Sequence, residues 1–270
     1  MGFTMTRAFG LIVVGDEILS GKRADKHMTK VIELLAARGL QLSWAEYVGD
    51  EPARITAALE RAFASGDIVF STGGIGATPD DHTRQCAAKA LRLPLALHPE
   101  AELLIRERMQ DTAREQGVPY EPDRADNIHR LNMGVFPQGA ALIYNPYNKI
   151  PGFSVGHVHF VPGFPVMAWP MIESVLDSRY AELFTRNGVA EKSVIVFGAM
   201  EATLTPLMQS IEDTHAGIKV FSLPSVDHAE YGRHIELGVK GDPGRLDAAY
   251  AQLIEGLHTF DAKLGPELVR

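Results

Sequence analysis

Residues 67–83, DIVFSTGGIGATPDDHT, constrain this chain more than any other stretch. An apolar run with β-branched character (Ile68, Val69, Phe70) ends in Gly73-Gly74-x-Gly76 and gives way to Thr78-Pro79-Asp80-Asp81. That order predicts a buried strand, a glycine turn and a helix N-terminus, with the helix running to about Leu91. Thr78 is placed to cap it, Pro79 fits the first helical position, and Asp80 and Asp81 suit the positive end of the helix dipole. The glycines let backbone N–H groups approach a ligand closely, and a phosphate is the usual ligand of such a turn. An acid beside a phosphate normally needs a divalent cation between them. The plainer alternative is that the glycines only make a tight turn and the aspartates only cap.

The segments on either side repeat the pattern. Residues 8–14 (AFGLIVV) read as a strand buried on both faces, as in parallel sheets, and residues 15–22 follow as a loop. That loop is not a phosphate-binding P-loop: Gly15 and Gly21 are one residue too far apart, and Arg23 stands where Ser or Thr would hold magnesium. A helix over 29–38 stops at Gly39, and a strand follows over 40–48. A helix through Ile55, Leu59 and Phe63 then ends at Gly66. Alternating strands and helices argue for an α/β layer fold with a largely parallel sheet, whose ligands gather at the carboxyl ends of the strands. The loops at Gly15–Gly21, Gly49–Glu51 and Gly73–Asp81 all fall at such ends.

Composition narrows the function classes. The 270 residues are 46% hydrophobic and 22% charged, enough apolar material for a packed core in one or two domains. A net charge of −8 gives no general attraction to nucleic acid. Cys86 is the single cysteine, which leaves no disulfide framework and fits a reducing compartment. No apolar run reaches the roughly 20 residues that span a bilayer. Met1-Gly2 opens a formal myristoylation pattern that reads as a chance match, since Met5 offers an alternative start and no polybasic segment follows. A cytoplasmic protein is expected.

Further along, residues 99–116 read as an exposed amphipathic helix, 123–131 as a short helix and 141–145 as a strand. Residues 145–153 read as a turn-rich loop and 157–162 as a strand, closed by Pro162-Gly163-Phe164-Pro165. His157 and His159 share a strand face, which is compatible with a metal, but no third ligand accompanies them and a satisfied pair is the simpler reading. The pattern resets near Asn187-Gly188. Beyond it a β-α-β-β-α order indicates a small α+β unit, giving expected domains of 1–188 and 189–270.

Taken together, these loops resemble the MoaB/Mog molybdopterin-binding domain family, in the version found at the N-terminus of CinA (competence/damage-inducible) proteins. Gly15-Asp16-Glu17-Ile18-Leu19-Ser20-Gly21 looks like the family's opening loop. Residues 72–83 match its central signature, Thr-Gly-Gly-x-Gly-Pro-Thr-x-Asp-Asp-x-Thr, with Ala77 in place of Pro. Asn145–Phe153 matches a later Asn-Pro-x-x-x-x-Pro-Gly-Phe segment, and Pro162–Pro165 the Pro-Gly-x-Pro turn. Met167 stands where the family usually has an acid, and Ala24-Asp25-Lys26-His27 replace Asn-type residues. No counterpart of the CinA amidohydrolase domain is expected, so deamidation is not carried over.

The resemblance implies a three-layer α/β/α sandwich with a mostly parallel sheet, plus the small second domain, and a homo-oligomer. It implies a phosphorylated small-molecule ligand, either molybdopterin or an adenylated diphosphate, and a divalent metal such as Mg²⁺. Gly73, Gly74 and Gly76 would cradle phosphate through their N–H groups. Asp81 and Asp50 would hold the metal and serve catalysis, and Glu17 and Ser20 would reach the ligand from the opposite loop. Gly15, Gly21, Thr72, Thr78, Pro151, Gly152, Pro162 and Gly163 complete the implied ligand contacts. The activities implied are molybdopterin binding for cofactor assembly, metal-dependent ADP-ribose pyrophosphatase chemistry, or a non-catalytic scaffold, which Met167 favours over a fully active pyrophosphatase. Each acid keeps a bland rival: Asp81 and Asp50 as helix caps, Glu17 as a surface ion pair.

Overall fold

The computed structural model describes residues 7–184, 190–260 and 262–270; the Met1-Gly2 pattern and the Asn187-Gly188 reset lie outside them. The chain divides into two compact units, Met1–Phe184 and Thr185–Arg270.

The first unit runs β1 (Phe9–Val14), α1 (Asp16–Leu19), α2 (His27–Ala36), β2 (Leu42–Val48), α3 (Pro52–Ser65), β3 (Ile68–Thr72) and α4 (Thr83–Leu91). It continues with β4 (Leu95–Leu97), α5 (Pro99–Gln116), α6 (Ala125–Leu131), β5 (Val135–Pro137), β6 (Ala141–Ile143), β7 (Gly152–Val155), β8 (Val158–Val161) and α7 (Pro165–Arg179). The main sheet has the order β2-β1-β3-β8-β7-β6. Its first four strands are parallel, and β7 and β6 close one side as an antiparallel edge.

Every residue of β1 and β3 is buried, so successive side chains feed two cores. Leu11, Val13 and Phe70 pack with Val31 and Leu35 of α2 and with Met171, Ile172 and Leu176 of α7. Ile12, Val14 and Val69 pack on the opposite face with Ile55 and Leu59 of α3 and Ala87 of α4. The result is the expected three-layer sandwich. Three phenylalanines extend the second core, with ring centroids 4.6 Å apart for Phe136–Phe153 and 4.3 Å for Phe153–Phe160. Gly152 serves that stack: a Cβ there would lie 2.3 Å from the Phe160 carbonyl oxygen.

Three local expectations need correction. The loop at 15–22 contains the helical turn α1. The turn-rich stretch ending at Phe153 passes into strand β7 from Gly152 onward. The helix expected from Thr78 and Pro79 begins only at Thr83. The Asp81 carboxylate accepts the Thr78 N–H at 2.8 Å and the Thr78 hydroxyl at 2.5 Å, so these residues close a turn of their own and do not cap α4.

The histidine pair is satisfied inside the fold. His159 is fully buried between the Ser154 hydroxyl (2.8 Å from Nδ1) and the Tyr180 hydroxyl (2.7 Å from Nε2). His157 Nδ1 lies 3.0 Å from the same Tyr180 oxygen.

The second unit runs β9 (Ala190–Phe197), α8 (Glu201–Thr214), β10 (Lys219–His228), β11 (Gly232–Gly241), α9 (Pro243–His258) and β12 (Lys263–Val269). Its sheet is antiparallel in the order β10-β11-β9-β12. Val194, Val196, Leu237 and Val239 bury one face against Leu204 and Ile211 of α8 and Leu246, Leu253 and Leu257 of α9. The α+β class is as expected, with one further strand, β12. Among the described residues no helix is long and apolar enough to cross a membrane.

Candidate functional site

The four parallel strands end side by side at Val14, Val48, Thr72 and Val161, so the loops that follow them meet at one edge of the sheet. Between them lies a cavity of about 640 Å³, within the range of small-molecule sites.

The glycine loop after β3 is tied down from behind. The Gly73 N–H continues the ladder to the Val161 carbonyl at 3.0 Å. Gly73 has φ +97°, and a Cβ on it would sit 2.3 Å from the Val14 carbonyl oxygen, so the loop crosses β1 where only glycine fits. Buried Thr83 grips the next carbonyls: its hydroxyl donates to Gly73 O at 3.1 Å and its N–H to Gly74 O at 2.9 Å. Buried Arg84 donates through Nη2 to Gly76 O at 2.6 Å and through Nη1 to the Asn132 carbonyl. Burial pulls the Arg84 guanidinium below its ordinary range, and the nearby Asp81 charge opposes that shift.

The carbonyls of Gly73, Gly74 and Gly76 are therefore all occupied. The N–H groups of Gly74, Ile75, Gly76 and Ala77 have no acceptor among the described residues, and all four residues line the cavity. A run of unpaired backbone N–H groups beside a cavity is an arrangement that receives anions.

The cavity also has an acidic wall, with Glu17, Asp50, Asp80 and Asp81 among its lining residues. Asp16 and Asp50, in the loops after β1 and β2, exchange hydrogen bonds from main chain to carboxylate: the Asp16 N–H donates to Asp50 Oδ2 at 2.9 Å and the Asp50 N–H to Asp16 Oδ1 at 3.1 Å. Burial raises the Asp50 carboxyl above its ordinary range; the Asp16 N–H opposes this, and repulsion from Asp16, Glu17 and Asp80 adds to it. Arg23 and Lys26 line the same cavity with positive charge.

Of the residues named from sequence, Gly15, Glu17, Asp50, Thr72, Gly73, Gly74, Gly76, Thr78, Asp81, Pro162 and Gly163 line this one cavity. Ser20, Gly21, Pro151 and Gly152 do not. Asn145, in the same segment as Pro151, is fully buried and ties its own turn, donating to the Ile150 carbonyl at 3.0 Å and accepting the Tyr147 N–H at 3.0 Å.

Sequence reasoning passed over His27 and Phe164, which also line the cavity. Buried His27 meets the Gly163 carbonyl through Nε2 at 3.0 Å. A carbonyl only accepts, so Nε2 carries the proton, while Nδ1 is buried without a partner. The one signal available was that His27 stands among residues replacing the family's Asn-type side chains.

The donor set suits a hard cation only in part. Carboxylate oxygens are the right chemistry for Mg²⁺, which commonly takes one or two of them and completes its shell with water and ligand phosphate. Among the described residues no three His, Cys, Asp or Glu side chains converge to hold a metal by themselves. A cation here would be shared with a bound phosphate.

Residues 10–182 match the family described as "Probable molybdopterin binding domain". A CinA-like protein of Desulfosudis oleivorans is 29% identical over 252 residues, covering 91% of this chain and 57% of its own length. A CinA-like protein of Geotalea uraniireducens is 31% identical over 214 residues, covering 77% and 48% respectively. The chain thus spans about half the length of these relatives. Among solved structures, the protein CinA of Thermoplasma acidophilum, described as of unknown function, is similar with a TM-score of 0.53 and 26% identity, over 64% of this chain and 97% of that one.

Proposed function

The chain belongs to the molybdopterin-binding domain family over residues 10–182, and from that premise we propose that it binds a phosphorylated small molecule, molybdopterin or a close analogue, in the cavity at the carboxyl ends of β1, β2, β3 and β8. One observation carries the reading: the carbonyls of the glycine loop are tied back, while Gly74–Ala77 line the cavity and their N–H groups have no acceptor among the described residues. Four unpaired N–H groups in succession are costly unless solvent or a ligand satisfies them, and phosphate oxygens do so with charge-assisted bonds. Asp81 contributes by bracing Thr78 and offsetting Arg84, which keeps the loop in its binding shape.

Binding is tested by thermal unfolding with a phosphorylated pterin and with inorganic pyrophosphate. Both are expected to raise the melting temperature with concentration, the pterin at lower concentration. A melting temperature that neither compound moves would contradict the reading.

The acidic wall favours a second reading, metal-dependent cleavage of an ADP-ribose-like diphosphate. Glu17, Asp50, Asp80 and Asp81, which all line the cavity, repel a phosphate on the glycine loop unless a cation stands between. Asp50 and Asp81 would hold that cation together with the ligand, and bound Mg²⁺ would neutralise phosphoryl charge. Asp50, its carboxyl raised by burial, would orient the attacking water. Turnover of ADP-ribose that requires Mg²⁺ and vanishes in Asp50→Ala would establish this activity. Binding without turnover would leave the molybdopterin reading alone.

A further inference from the structure

Resting on the phosphate-binding reading, the geometry points to Phe164 as the stacking platform for an aromatic heterocycle carried by the phosphorylated ligand. Phe164 is 54% exposed, whereas Phe70, Phe136, Phe153 and Phe160 are at most 1% exposed. Phe164 lies in the cavity wall, and among the described residues it is the one Phe, Tyr or Trp ring there, offering a face for stacking.

The ring is carried on a rigid mount. Pro162 and Pro165 restrict the backbone on either side. The Phe164 carbonyl accepts the N–H groups of Met167 and Ala168, each at 2.9 Å, as α7 begins. His27 Nε2 holds the Gly163 carbonyl from α2 at 3.0 Å.

The mount also abuts the phosphate loop. A Cβ on Gly163 would lie 3.4 Å from the Gly73 Cα, so the two backbones pass with room for only a methyl group between them. A ligand with its phosphate on the amides of residues 74–77 has Phe164 on the neighbouring rim of the same cavity, with the apolar side chains of Ile18 and Ile75 also in the wall. A flat ring with a π-face on offer stacks there, whereas a sugar phosphate or bare pyrophosphate gains nothing from it. Phe164 is thus a specificity residue for the ring; the phosphate is read elsewhere.

The test is calorimetric titration of the full chain and of Phe164→Ala and Phe164→Trp with ADP and with inorganic pyrophosphate. These probes share a diphosphate and differ in the adenosine, so it is the effect of the Phe164 substitutions that reports on the ring. Phe164→Ala is expected to weaken ADP binding about 5- to 100-fold, the loss of one stacked base, and to leave pyrophosphate unchanged. Phe164→Trp is expected to keep ADP affinity and to show indole fluorescence quenched by ADP but not by pyrophosphate. ADP binding no more tightly than pyrophosphate to the parent chain, or Phe164→Ala affecting both probes equally or neither, would overturn the inference while the phosphate reading stands. Failure of the parent chain to bind either probe would remove the phosphate reading and the inference with it.

Discussion

Asp16 and Asp50 hold each other's main chains, each carboxylate accepting the other's N–H at 2.9 and 3.1 Å, so two acids of like charge tie the ends of β1 and β2 together. At Asp50 the bond from the Asp16 N–H favours the charged carboxylate, and repulsion from the Asp16 side chain opposes it. Asp50 lines the same cavity as the glycine loop residues whose N–H groups lack acceptors among the described residues.

Asp50→Asn keeps an acceptor oxygen for the Asp16 N–H and removes one of the clustered charges. A carboxyl held above its unfolded value loses stability as pH rises from the ordinary carboxylate range through the raised folded value, so at pH 7 the charged form is the unfavourable one. Asp50→Asn is therefore expected to melt within about 1 kcal/mol of the parent, the site being partly solvated. It should bind pyrophosphate more tightly in the absence of metal. A large loss of stability, or weaker metal-free binding, would count against this account of the acidic wall.

The glycines of the loop are not equivalent. Gly73→Ala places a Cβ on the Val14 backbone at a left-handed φ, and neither strand can move without disturbing the sheet. It should cost about 3 kcal/mol or more. Gly76→Ala meets only the flexible end of Asp81, at 2.6 Å, and should cost about 1 kcal/mol while displacing that carboxylate from Thr78. Chemical denaturation of both variants checks the difference; equal losses would contradict it.

His159 gives the fold an acid limit. Burial, with smaller contributions from the charges of Arg179 and His157, pulls its imidazole down to about 3 from an ordinary 6.5. The unfolded chain binds the proton first, so stability is full above pH 6.5 and falls as pH drops toward 3. The loss should reach about 2–3 kcal/mol by pH 4.5. In His159→Gln the urea midpoint should fall less over that range, whatever its stability at pH 7. An unchanged slope would show that other groups set the acid limit.

Ala77 supplies an N–H where the family signature has Pro. Ala77→Pro removes one of four donors, and Gly76 before it tolerates the restriction Pro imposes. Pyrophosphate affinity should fall about 3- to 10-fold with little change in melting temperature. Unchanged affinity would remove Ala77 from the site.

Much of the first unit was legible because its signals are local. Continuous apolar runs mark β1 and β3, and the left-handed Gly66, with φ +74°, ends the helix before β3. Thr78-Pro79-Asp80-Asp81 carried every mark of a helix start, yet Asp81 spends its acceptor on Thr78, and Thr83 takes up the loop carbonyls instead. No local rule distinguishes those two closures. Strand β12 was hidden by Gly265-Pro266, which falls where its pairing with β9 shifts register; as a sheet edge it tolerates a residue without an N–H. His27 and Phe164 escaped for a different reason. His27 meets Gly163 across 136 positions of sequence, and neither side chain has a meaning until β1 and β8 bring α2 and α7 to the same edge of the sheet.

The central claim is that the N–H groups of Gly74, Ile75, Gly76 and Ala77 receive a phosphate. The most direct measurement is an amide ¹H–¹⁵N correlation spectrum of the full chain, recorded while inorganic pyrophosphate is added. Large, saturable downfield proton shifts at those four residues, with small changes at Ser20 and Gly21, are the predicted result. Saturable shifts confined to Arg23 and Lys26 or to the second unit, with the four loop amides unmoved, would contradict it.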